Sequence, residues 1–416
     1  MNYFQKSLRY FSISSKALAK KKNAGVIKTK YLGRPSNNLT SGVVGLANVG
    51  KSTFFQAMTK TSLGTAANYP FATIDPVESL VIVESPKLNH LGQLYESQKN
   101  IPTILNILDI AGLTRNAASG EGLGNKFLSD IRQVDGIFQV VRGFRDDDII
   151  HIEDNKVDPI RDMNIVTEEL ILKDLEFIET GIEKVGKLMK RPHIDKAQVQ
   201  LEIDTLNRIQ DLLYESRKIS TGQWTDKEID IINTYNFLTA KPTVYLLNVN
   251  EKDYVAQQNE FKQDVEQWIE DNCPNDILLM FSASYETKIN ECKTPEELNK
   301  FVALNNNKTS AKSDIVDKMR SCLNLISFYT CGPKEARQWS IREGSTMPEA
   351  AGLIHTDLQK TFISAQVYKF DDLVNLSPPF NEASLKNSGK QFKCGKNYIV
   401  QDGDVVIIKA GNAKAR

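Results

Sequence analysis

With 416 residues, 41% of them hydrophobic, and a formal net charge of +0, the chain has the material for two or three globular domains with ordinary cores. No uninterrupted apolar run approaches the ~20 residues of a membrane helix, so no membrane partner is expected. The five cysteines (Cys273, Cys292, Cys322, Cys331 and Cys394) are scattered without a Cys-x-x-Cys pair, which excludes a disulfide frame or cysteine zinc site and reads as reduced thiols.

The neutral average hides an asymmetry. The first acid is Asp75, whereas nine Lys and Arg precede position 35; without those nine the remainder carries 43 basic against 52 acidic residues, about −9. Residues 1–36 also place Phe4, Leu8, Phe11, Ser15 and Leu18 at helical spacing. That is the composition of an amphipathic mitochondrial targeting segment, which implies the matrix and cleavage before Ser36. A basic tail that binds RNA is the competing reading.

Next comes a short apolar strand, Ser41–Val44, and then Gly45-Leu46-Ala47-Asn48-Val49-Gly50-Lys51-Ser52, which fits the phosphate-loop pattern G-x-x-x-x-G-K-[ST] at every fixed position. Thr53–Met58 continues as a helix. The glycines let backbone N–H groups turn inward around a phosphate chain, and the helix start adds unpaired N–H groups and partial positive charge. In this frame Lys51 reaches the β- and γ-phosphates and the Ser52 hydroxyl ligates Mg²⁺. Asn68–Pro76 reads as a loop whose Thr73 is the candidate to reach Mg²⁺ when a γ-phosphate is present.

Leu80–Val83 and Thr103–Leu108 read as strands, the second running into Asp109-Ile110-Ala111-Gly112-Leu113. A carboxylate at the carboxyl end of a buried strand sits where open α/β sheets bind ligands. Asp109 is expected to hold Mg²⁺ directly or through water, and the Gly112 N–H to face the γ-phosphate. Leu113 stands where many GTPases carry the Gln that orients the attacking water, so either hydrolysis is slow or another group places the water. Gly120–Asn125, with three glycines at alternate positions, reads as a hinge or a helix approach. A helix over Phe127–Arg132 and a strand over Gly136–Val141 follow, and Asp146-Asp147-Asp148 reads as a solvated loop in preference to a metal site.

From Asn164 apolar residues step by three or four through Leu172, Leu175, Ile178, Ile182 and Val185. After Arg191-Pro192 they do so again through Val199, Ile203, Leu206, Ile209 and Leu213. This is an antiparallel helical hairpin, a contact arm or a pair of covering helices. The sheet resumes at Pro242–Glu251. A GTPase normally reads Asn-Lys-x-Asp here; this chain has Asn248, Val249 and Glu251. Glu is one methylene too long for the guanine grip, and Val has no stem to lay on the ring. An Asn amide can meet adenine N7 and N6–H₂ with its two ends. Weakened guanine preference and ATP use are expected, with Ser282-Ala283 after strand Ile277–Phe281 touching the base.

A helix near Asp314–Leu325 leads to a small α+β unit: strands Leu325–Thr330, Glu335–Ile341, Phe362–Tyr368 and Val405–Lys409, with a helix starting near Gly344–Ala351. Its order resembles ubiquitin. His355-Thr356-Asp357 has no nucleophile nearby and reads as a satisfied loop histidine.

Together, Gly45–Thr53, Asn68–Asp75, Asp109–Leu113, Gly120–Asn125, Asn248–Glu251, Gly332–Ile341 and His355–Asp357 resemble the Obg-like ATPases, or YchF subfamily, over residues 40–410. The resemblance implies an α/β P-loop NTPase domain (37–163 and 237–310), a helical-hairpin insertion (164–236) and a C-terminal ubiquitin-like α+β TGS domain (324–410). It implies ATP hydrolysis in preference to GTP, Mg²⁺ dependence, and association with ribosomes or ribosomal RNA through the arm and TGS domain. It assigns Asn48, Val49, Gly50, Lys51, Ser52 and Thr53 to the phosphates, Ser52 and Thr73 to Mg²⁺, and Val249 to the base. Ala47 departs from the Pro of many members, and the basic extension points to an organellar paralogue. A GTP-hydrolysing switch and a non-hydrolysing nucleotide-sensing adaptor are the alternatives.

Overall fold

The computed structural model describes residues 30–60, 77–110, 123–146, 156–189, 191–378, 380, 382–387 and 389–411. Twelve strands lie among these residues. In chain order they are β1 (Thr40–Val44), β2 (Val77–Ile82), β3 (Asn100–Ile101), β4 (Ile104–Asp109), β5 (Gly136–Arg142), β6 (Thr243–Asn248), β7 (Ile277–Phe281), β8 (Leu325–Cys331), β9 (Ala336–Arg342), β10 (Phe362–Lys369), β11 (Phe392–Cys394) and β12 (Asp404–Ala410).

The first sheet runs β2-β4-β1-β5-β6-β7, parallel except for the antiparallel edge pair β2–β4. All of β5 and Ser41–Val44 of β1 are buried without alternation, as strands covered on both faces must be. β1 has β4 on one side and β5 on the other. That places the order reversal, where such sheets open a ligand crevice, directly above β1. The helix Lys51–Lys60 is pinned beneath the crevice by Phe54, whose ring meets Phe138 at 5.9 Å and Phe281 at 5.2 Å, both edge-on. Burying one such ring stabilises by about 1.5–3 kcal/mol.

The first helix of the arm, Pro159–Leu188, begins earlier than the apolar period indicates, its opening turns packing Met163, Ile165 and Val166 into the core of the first sheet. It is capped by the Asp158 carboxylate, which accepts from the Arg161 N–H at 3.0 Å, with Pro159 at the first position. Thirty residues make a rod about 45 Å long. The second helix, Lys196–Tyr214, is capped by Asp195, and the two pack through Ile178, Val185, Val199, Leu206 and Ile209. The arm is anchored at its base by Asp174. This fully buried carboxylate accepts from the Leu238 and Thr239 N–H groups (2.9 and 2.8 Å) and from the Thr239 hydroxyl (2.8 Å), just ahead of β6. Burial raises its pKa and these bonds oppose the rise.

The second sheet runs β11-β10-β12-β8-β9-β3. The antiparallel hairpin β8–β9, the helix Met347–Ile354 and the return of β12 parallel to β8 give the expected ubiquitin-like order. One element has no counterpart in the sequence reading. The chain between β2 and β4 leaves the first sheet, and its Asn100–Ile101 pairs parallel with β9 at the edge of the second. The preceding helix, Pro86–Leu94, packs Leu88, Leu91 and Leu94 against Tyr329, Ala336 and Tyr368. His355 accepts from the Asp357 N–H at 3.2 Å and caps the helix Thr356–Lys360, as a satisfied loop histidine does. All five cysteines are unpaired, and no helix among the described residues is long and apolar enough to cross a membrane.

Candidate functional site

The loop Gly45–Gly50 carries β1 into the helix Lys51–Lys60 through left-handed backbone at Asn48 (φ +62°) and Gly50 (φ +99°). A Cβ on Gly50 would collide with the Asn248 amide, and one on Gly45 would stand 2.5 Å from the Val140 carbonyl oxygen, so no larger residue fits either place. Lys51 opens the helix only 8% exposed, and its Nζ donates to the Leu46 carbonyl at 2.5 Å, folding the ammonium back over the loop. Burial pulls its pKa down to about 8 against the opposing pull of Asp109. Asp109 ends β4, level with Val43 of β1; burial raises its carboxyl and Lys51 lowers it. Ser52 and Thr53 are exposed in the first helical turn.

Amides at a helix start, an ammonium, a hydroxyl and one carboxylate therefore converge at the crevice end of β1 and β4. This donor set fits Mg²⁺ bound together with phosphate. That ion keeps water and phosphate oxygens in its shell and takes only one or two protein ligands. Among the described residues no group of three His, Cys, Asp or Glu forms a cage of protein ligands alone. Thr73, Gly112 and Leu113 lie outside the described residues, as do Asp147, Asp148 and Gly120–Gly122. Leu123, Gly124 and Asn125 open the helix Leu123–Gln133, so this half of the glycine-rich stretch is a helix start.

On the base side the structure corrects two expectations. Asn248 is 4% exposed and both ends of its amide are engaged: Nδ2 donates to the Val49 carbonyl and Oδ1 accepts from the Ala283 N–H, each at 3.0 Å. It ties the phosphate loop to the turn after β7 and does not present the two-ended adenine reader inferred from its side chain. The reason is tertiary: β6 and β7 bring the turn within reach of an amide that, on sequence alone, looks available. Val249 is likewise packed in the core, its N–H donating to the Phe281 carbonyl at 2.9 Å, so its side chain offers the base no exposed surface. Glu251 opens the helix Glu251–Ala256, and its Oε2 accepts from Lys288 Nζ at 2.7 Å. Ser282 is fully buried and caps the helix Ala283–Glu291; its hydroxyl accepts from the Tyr285 N–H. Ala283 contributes the backbone N–H that Asn248 holds.

Two residues beside this wall carried no role in the sequence reading. Lys288 had no local signal, because its pairing with Glu251 depends on where two helices start. Arg142, directly opposite Asn248 in the β5–β6 register, is 1% exposed. It donates to the Phe144 and Asp146 carbonyls at 3.2 and 3.0 Å and stacks on the Phe144 ring. It braces the turn whose Gly143 N–H donates to the Asn248 carbonyl at 2.8 Å.

Comparison with known proteins agrees with this geometry. A family model described as a 50S ribosome-binding GTPase matches residues 40–175, and the YchF-GTPase_C model, described as a protein of unknown function, matches 325–411. The chain is 50% identical over 396 residues to an Obg-like ATPase homolog of Saccharomyces cerevisiae, covering 92% of this chain and 98% of that one. It is 46% identical over 393 residues to Obg-like ATPase 1 of the same yeast, covering 93% and 98%. The solved structure of the Schizosaccharomyces pombe YchF GTPase superposes with a TM-score of 0.81 at 40% identity, covering 91% of this chain and all of that one.

Proposed function

Because the chain belongs to the Obg-like ATPase family, the YchF branch of the phosphate-loop GTPases, we propose that it is a Mg²⁺-dependent switch hydrolysing ATP in preference to GTP. Nucleoside triphosphate hydrolysis in general comes with the family; the choice of ATP is what the base side of the crevice adds. The observation that carries it is the Lys288–Glu251 ion pair. The carboxylate nearest the guanine-gripping position is held by a lysine, and Asn248 has both ends of its amide engaged, so neither is poised to select guanine. The relatives' own names as ATPases support the same choice.

In this reading the loop amides of Asn48–Thr53 grip the phosphates. Lys51 leaves the Leu46 carbonyl to lie against the β- and γ-phosphate oxygens, where its charge offsets what develops in phosphoryl transfer. Ser52, Thr73 and Asp109 would hold Mg²⁺, which would supply charge neutralisation at the phosphates. Thr73 and the Gly112 N–H meet the γ-phosphate, and their loops are ordered by it and released on hydrolysis. Leu113 cannot orient water, so turnover without a partner is slow. Ser282-Ala283 closes the base side through its backbone.

The nucleotide domain comprises 37–163 and 237–310, the arm 164–236 and the TGS unit 324–410. The ribosome is the partner, a reading supported by the 50S-binding description of the matching family model. The basic N-terminus directs the chain to the mitochondrial matrix, which import with cleavage near Ser36 would test. Single-turnover phosphate release from ATP and from GTP, with and without Mg²⁺ and ribosomes, tests the activity. Slow, Mg²⁺-dependent release faster from ATP is expected. Faster release from GTP rejects the nucleotide choice, and no release under any condition rejects hydrolysis in favour of the adaptor.

A further inference from the structure

The chain just ahead of β1 is packed between the three parts of the molecule and bonded to each. At the foot of the arm, Asn233 of the helix Asp226–Tyr235 holds it with both ends of its amide. Its Oδ1 accepts from the Gly33 N–H at 2.7 Å, and its Nδ2 donates to the Tyr31 carbonyl at 3.0 Å. Leu32 packs against the apolar core of the arm. On the first sheet, Arg34 donates from Nε and Nη2 to both oxygens of Asp135, at 2.6 and 2.5 Å; Asp135 is buried and directly precedes β5. On the second sheet the partner is Arg342, the last residue of β9. Its N–H donates to Asn37 Oδ1 at 2.8 Å, and its guanidinium donates to the Leu32 carbonyl at 3.4 Å and lies over the Tyr31 ring. The Tyr31 hydroxyl donates to Glu343 at 3.1 Å.

The local sequence suits this course. Gly33 takes left-handed backbone (φ +97°), and Pro35 cannot continue a helix. The apolar step of the basic N-terminus, Phe4 to Leu18, stops well short of Tyr31, so targeting residues and packing residues are separate stretches. A cut immediately before Ser36 would take Tyr31, Leu32, Gly33 and Arg34 away with the leader. The Asn233 amide would lose both partners, the buried Asp135 carboxylate its guanidinium, and the arm its cover at Leu32. Buried groups stripped of their partners cost a fold far more than a broken surface pair does.

We infer that the leader is cut upstream of Tyr31, and that the mature chain keeps Tyr31–Asn37 as a strap joining its nucleotide domain, arm and C-terminal unit. The existence of a cut rests on the matrix reading under the proposed function; its position, and the strap, rest on the contacts above.

Two readouts test it. In the first, the full-length chain is imported into isolated mitochondria, recovered, and its first residue identified by mass spectrometry. A first residue at or before Tyr31 is expected, and any later one overturns the inference while leaving import standing. A chain that is never cut rejects the leader and its processing site together, and the second readout then decides the strap alone. That readout compares the thermal unfolding of the full-length chain with chains beginning at Lys30 and at Ser36. The chain from Lys30 should keep the full-length midpoint, and the chain from Ser36 should melt at least about 3 °C lower or fail to fold. Asn233→Ala should lower the midpoint of the chain from Lys30 and leave that of the chain from Ser36 unchanged, because its partners are already gone there. If the chain from Ser36 does not fold, Arg34→Ala in the full-length chain replaces it, and a smaller fall in midpoint is expected. Equal midpoints for all three chains overturn the strap, as does an Asn233→Ala effect of the same size with and without residues 30–35.

Discussion

The two walls of the crevice are built on different terms. On the phosphate side the polar groups keep a task in reserve: Lys51 rests on a loop carbonyl and feels the charge of Asp109, and Ser52 lies open to solvent. On the base side the polar groups are bound to protein. Asn248 joins two loops, Ser282 caps a helix, and Glu251 pairs with Lys288. In the proposed reading the triphosphate is gripped while guanine is left unselected, since selectivity requires a group left unsatisfied by the wrong base.

The comparison breaks most visibly at Lys51. Replacing it with Ala should lower turnover by about 10²–10³, the loss typical of one preorganised charged or donor group, and should weaken both nucleotides alike by titration calorimetry. Next in size is pH. Free Lys51 titrates near 8, whereas bound phosphate holds its proton, so the complex carries more protons than the free protein above that pH. Affinity should be nearly level below pH 8 and fall by up to about tenfold per unit above it. The Lys51→Ala variant should show no such fall.

Asn248→Ala comes third. It leaves the Val49 carbonyl and the Ala283 N–H buried without their partner, a cost of about 1–3 kcal/mol. It should lower the unfolding midpoint and weaken ATP and GTP by the same factor. A change in their ratio would return Asn248 to base reading. The smallest effect is expected at Lys288→Ala. Freeing Glu251 removes an exposed pair contributing about 0.2–1 kcal/mol, and competition binding should move toward GTP by no more than a few-fold.

Much of this was legible in the chain itself, for reasons that differ by element. The phosphate loop was readable because its geometry depends on residues adjacent in sequence: glycine where the backbone turns left-handed, lysine at the helix start. β1 and β5 were readable because continuous apolar runs leave a parallel strand no other home. Asn100–Ile101 was not, since a two-residue edge strand has no period and its partner, β9, lies more than 230 residues away. The start of the arm's first helix is hidden because Pro159–Leu188 opens with a cap, Asp158 before Pro159, and not with the apolar step that begins near Asn164. Asn248 shows the deeper limit: an amide's chemistry is written in the sequence, but whether its ends are already taken is decided by what the fold brings beside it.

In the proposed function the loop grips the triphosphate while the base-side wall does not select guanine. Titration of Mg·ATP and Mg·GTP into the full-length protein and its Asn248→Ala variant tests it most directly. One site is expected, with ATP bound at least as tightly as GTP and a ratio that the variant leaves unchanged. GTP bound tenfold tighter than ATP by the wild-type protein, with that preference lost in the variant, would contradict it.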